Sequence, residues 1–155
     1  MQYLRAFLIA FFGNYFLSTI VPLVVYFVPG ALTTSATGTT NPYYLFFIAL
    51  SAVAVALLAW WFLKTVPADK ALKAGVAFGA IGFLIVVGLS VVSNISTAWI
   101  QTGSVGEIGR ALASFVTIFT ASQTYILLAE WLLPSALTGW WLGRKKNPAP
   151  MTMAQ

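Results

Sequence analysis

The chain has 155 residues, of which 60% are hydrophobic and only 7% charged, against about a quarter charged in an ordinary soluble domain. So little polar surface cannot cover a water-soluble globule, and four membrane helices with short loops use nearly the whole length, leaving no room for a separate soluble module. The net charge of +5 comes from a few basic residues at the edges of apolar runs, a placement that points to membrane topology and away from nucleic acid.

The first charge-free run, from Ala6 to Leu63, is about three times the roughly 20 residues that span the hydrocarbon core. Gly30 to Pro42, rich in Thr, Ser, Gly and Pro, supplies the turn that must break it. Helix one is then expected over about 6–28 and helix two over about 43–63. The opening apolar run exceeds the roughly 7–15 residues of a signal-peptide core, so it reads as an uncleaved first helix. Pro67, Asp69, Lys70 and Lys73 mark a short aqueous connection, and helix three follows over about 74–93. Ser96 to Arg110 mixes Gly, Ser, Thr and both signs of charge and reads as an exposed loop with a short interfacial helix around Trp99.

Helix four is expected within 111–142, a stretch too long for one untilted crossing and containing Glu130, Pro134 and Gly139. Two arrangements fit: a crossing to Leu133 followed by a turn, or a long tilted or Pro-kinked helix ending at Trp140 and Trp141. Residues 147–155, with two prolines and nothing to bury, read as a flexible tail. The whole is one all-α domain over 1–146: an integral membrane protein, an antiparallel bundle of four transmembrane helices.

With four crossings the N-terminus, the middle connection and the C-terminus share a side. That side holds Arg5, Lys64, Lys70, Lys73, Arg144, Lys145 and Lys146, and the other holds Arg110 beside Glu107. The positive-inside bias makes the shared side cytoplasmic and the location a cell (inner or plasma) membrane. The likeness of WWFLKTVP at Trp60 to WWLGRKKNP at Trp140 follows from this same rule, since inward-ending helices finish in aromatic and then basic residues.

The chain contains no cysteine and no histidine, the side chains that most often hold haem, iron–sulfur clusters, copper or zinc. No metal site and no resident cofactor are expected; a lipid, quinone or pigment would be held by apolar packing. The three acids, Asp69, Glu107 and Glu130, are widely separated, and no base accompanies any serine, so an enzyme is not expected.

Within the helices the one ionisable group is Glu130, and Thr120, Gln123 and Glu130 fall on one helix face at spacings of 3 and 7. An intramembrane carboxylate is costly and marks an ion path, a proton relay or a polar contact between helices. Asn14 lies about 13 Å along helix one from Arg5 and can meet Glu130 if that residue is deep; such a pair is also plain interhelical glue. Gly75, Gly79 and Gly82 of helix three and Ala52 and Ala56 of helix two are small residues that let helix backbones approach closely. The expected function is a non-catalytic accessory or scaffold subunit, packed among other membrane subunits and lipids. The alternative is a small self-associating transporter or channel whose path is lined by Glu130, Gln123, Thr120 and Asn14.

Overall fold

The computed structural model describes residues 2–26, 42–103 and 122–146, together with Gly106 and Gly109. Among the described residues the regular structure is helical and no strand occurs: α1 (Gln2–Tyr26), α2 (Pro42–Leu63), a 3-10 turn (Ala68–Lys70), α3 (Ala71–Thr102) and α4 (Ser122–Lys146). Three stretches are long and apolar enough to cross a membrane: Gln2–Ile20, Phe46–Leu63 and Ala68–Gln101. The described part of helix four, which carries Glu130 and ends in Arg144, Lys145 and Lys146, is not one of them.

The helix limits follow local chemistry. Pro42 opens α2 at a position where its missing N–H costs nothing. At the far end of α2, the Lys64 N–H donates to the Trp60 carbonyl and the Val66 N–H to that of Leu63, each at 3.0 Å, so the chain turns tightly into the 3-10 segment. α3 does not stop at Ser93 but continues to Thr102. Ser, Thr and Asn are only mildly unfavourable in a helix, and the first true stop is Gly103. That glycine has φ 59° and donates its N–H to the Trp99 carbonyl at 2.8 Å, a left-handed cap that suits glycine. Trp99 therefore belongs to the last turns of α3 and not to a separate short helix.

α1 begins at Gln2, so Arg5 is inside the helix. α4 runs unbroken through Pro134 to Lys146, which is the long-helix arrangement of the two. The stretch 111–121, the connection 27–41 and the tail 147–155 lie outside the described residues.

α3 and α4 form the most extensive helix pair. α1 packs on α2 and α3, and α4 packs on the same two helices, so α1 and α4 stand at opposite corners. An aromatic spine ties three of the helices together: Phe62 of α2 stacks on Phe78 of α3 with ring centroids 5.2 Å apart, and Phe78 meets Trp131 of α4 at 6.3 Å. The Arg5 guanidinium donates to the Thr65 hydroxyl at 2.7 Å, and Gly143 lies beside the Ala68 carbonyl. The start of α1, the α2–α3 connection and the end of α4 thus meet at one end of the molecule.

The outside is as apolar as the inside. Phe12, Tyr15 and Phe16 of α1, Leu57 of α2, Leu84 of α3 and Leu137 of α4 are all more than 60% exposed. The buried set is also apolar, with Phe78, Leu63 and Val55 fully enclosed. Helices that are hydrophobic all round belong in a large core or a lipid bilayer.

Candidate functional site

α3 and α4 meet along a seam of small residues. The direction in which Gly75 would carry a Cβ points at the Ser135 backbone carbonyl, which such an atom would meet at 2.5 Å. Gly79 faces the Trp131 carbonyl in the same way at 2.7 Å, and Gly139 of α4 faces the Ala71 carbonyl at 2.5 Å. Gly82 receives the indole ring of Trp131 itself. As the α3 position rises from 71 to 75 to 79, its α4 neighbour falls from 139 to 135 to 131. Only hydrogen can occupy these sites, and it sets the Cα–H groups against backbone carbonyls, a weak but repeated interhelical contact.

The α4 half of this seam is Ser135, Gly139 and Gly143, a small residue on every fourth position. Sequence reading named the α3 glycines and missed this complement, although its spacing was there to be read. It also missed Trp131, which is 3% exposed and fills the space over Gly82. On α2 the enclosed positions are Val55, Ala59, Phe62 and Leu63, with Ala52 and Ala56 half-buried on the flanks.

Of the polar residues singled out from the sequence, two share a helix face and a third stands apart from them. Gln123 and Glu130, both on α4, are seven residues apart and hence about 20° apart around the axis, but Gln123 is exposed. Thr120 lies outside the described residues. Asn14 is half-buried on α1, at the corner opposite α4. The enclosed polar residues of α4 are instead Thr124 and Ser135.

Glu130 itself is half-buried, yet its Oε1 is enclosed and has no hydrogen-bond partner among the described residues. The Ser135 hydroxyl is in the same condition. Five residues apart, the two lie about 140° apart around α4 and cannot form one polar site. Pro134 interrupts the backbone hydrogen-bond ladder of α4 beside them. It has no N–H to donate to the Glu130 carbonyl one turn earlier, while the Thr138 hydroxyl donates to the Pro134 carbonyl at 2.7 Å. Because α4 continues to Lys146, Glu130 stands 11 residues before Trp141, about 16 Å along the axis.

The basic end carries three cation–π pairs: Lys64 over Trp60 at 5.9 Å, Arg144 over Trp140 at 4.5 Å and Lys145 over Trp141 at 5.1 Å from the ring centroids. A groove of about 710 Å³ between α1 and α2 has only apolar side chains in its lining, among them Phe12, Phe16, Leu57 and Trp61. No family model, curated protein or solved structure is significantly similar to this chain.

Proposed function

We propose that this chain is a non-catalytic integral membrane protein, an accessory or scaffold subunit that packs within a larger membrane complex. Its four long helices cross the bilayer as an antiparallel bundle, with both termini and the α2–α3 connection on the cytoplasmic side of a cell membrane. The observation that carries the packing role is where the polar and apolar groups lie. The outward faces and the large α1–α2 groove are apolar, whereas Asn14 stands at the corner opposite the helix of Glu130, and Gln123, on the Glu130 face, is exposed. A path for polar cargo needs polar groups in one place; a surface that binds other membrane helices needs apolar and small residues.

Length supports the crossing. Trp99 lies 29 residues beyond Lys70 along α3, about 43 Å, which is the depth of a bilayer including its headgroups. The paired cations and tryptophans then sit at the inner interface and Trp99 at the outer one.

One observation favours the second reading, a small homo-oligomeric transporter or channel: the enclosed, unpartnered Oε1 of Glu130 beside a proline-interrupted backbone, which a partner or cargo would satisfy. The mass of the native assembly, extracted in nanodiscs with its proteins identified, separates the two. A reproducible set of different membrane proteins supports the accessory role. A pure homo-oligomer defeats it and moves attention to Glu130→Gln in a flux assay.

A further inference from the structure

The seam between α1 and α3 holds two hollows that follow one another along the helices. At the basic end, a cavity of about 260 Å³ has Lys70, Lys73, Gln2 and Tyr3 at its rim, with Ala6 and Phe78 beneath. All four rim side chains are exposed, and no acid contributes to the lining; Asp69, the acid of this connection, is exposed outside it. Next along the seam, a cavity of about 440 Å³ opens between Phe7 and Phe11 of α1 and Ile81, Ile85 and Gly88 of α3. Its lining is wholly apolar.

The two hollows share no lining residue but lie end to end as a groove along one face of α3. Lys73, Ala77, Ile81, Leu84 and Gly88, which line one or the other, are separated by three or four residues and form a single stripe on α3. From Lys73 to Gly88 the stripe is about 22 Å long, more than the ~15 Å depth of one leaflet. Its far end is open, since a Cβ at Gly88 would meet nothing within 4 Å.

We infer that this groove is a binding site for one phospholipid with an anionic headgroup. Two ammonium groups, a phenol and an amide offer donors to the phosphate at the level of the inner interface, and one acyl chain lies along Phe7, Phe11 and the α3 stripe. A hydrophobic partner helix fits less well, because seating it over the whole groove would desolvate Lys70 and Lys73 without countercharge. The larger α1–α2 groove has no charged residue in its lining and takes up lipid without regard to headgroup. The inference rests on the membrane reading above and on nothing about complex membership.

Native mass spectrometry tests it, using the full chain extracted from membranes into nanodiscs of phosphatidylglycerol and phosphatidylcholine in equal amounts. One phosphatidylglycerol is expected to stay bound at collision energies that strip phosphatidylcholine. K70A/K73A lowers that occupancy by more than about tenfold, given roughly a fivefold effect for each basic residue near an anionic surface. R144A/K145A, which removes the same charge elsewhere at the basic end, leaves it unchanged. G88W, which plugs the open end of the groove without touching the rim, also lowers it. Equal retention of the two lipids overturns the site, as does unchanged occupancy in K70A/K73A or G88W, or an equal loss in R144A/K145A. A tight dimer that excludes lipid from the seam overturns it too and gives the groove to a second copy. Failure of the chain to fractionate with membranes is a different result, and defeats the membrane reading instead.

Discussion

Glu130 keeps one carboxylate oxygen enclosed without a hydrogen bond among the described residues. Enclosing a charge without a partner costs stability, and an amide of the same shape costs less. Glu130→Gln is therefore expected to leave the unfolding midpoint of the purified chain, titrated with SDS in mixed micelles, unchanged or raised. A loss of more than about 1 kcal/mol would instead reveal a carboxylate that is bonded in the folded state. The glycines separate by what surrounds them. At Gly75 and Gly79 an added methyl meets backbone carbonyls, which cannot rotate away, so Gly75→Ala and Gly79→Ala should each destabilise by about 1–3 kcal/mol in the same titration. At Gly88 the methyl meets open space, and Gly88→Ala should be neutral or stabilise by up to about 1 kcal/mol through helix propensity. The α3 glycines were readable as close-approach positions from spacing alone. What they approach was not, because Trp131 looks in sequence like one more interfacial aromatic, and Ser135 and Gly139 both follow a helix-breaking proline signal.

At the scale of the element, sequence reading worked where a hard stop exists and failed where composition only resembled one. α2 matched within a residue because Pro42 and the Lys64 turn bound a charge-free run. α3 ran past its expected end because Ser, Thr and Asn thin out the hydrophobicity without breaking the backbone, and the stop waits for Gly103. In α4, Pro134 is contained within the helix at the cost of the hydrogen bond to the Glu130 carbonyl. Pro134→Ala restores that donor and is expected to stabilise the chain by about 1–3 kcal/mol. A loss of stability on the same substitution would show that the neighbouring helices are fitted to the bend that proline makes.

For the whole molecule, the four described helices and the gathering of their basic residues at one end were legible because both follow from runs of charge and hydropathy. The pairing of helices was not. With apolar residues all round each helix, no face announces itself as inward, and nothing in the sequence says that α1 and α4 take opposite corners. That arrangement separates Asn14 from Glu130, a pair that depth alone would allow. The same all-round hydrophobicity underlies the central claim, that the bundle spans a bilayer four times with its basic end inside.

The chain has no cysteine, so topology can be mapped with single cysteines and a membrane-impermeant maleimide on intact cells. Gln2→Cys, Lys70→Cys and Lys145→Cys should be protected until the membrane is opened, while Gly103→Cys reacts at once. Labelling of Lys70→Cys from outside, or protection of Gly103→Cys together with the other three, would contradict the account.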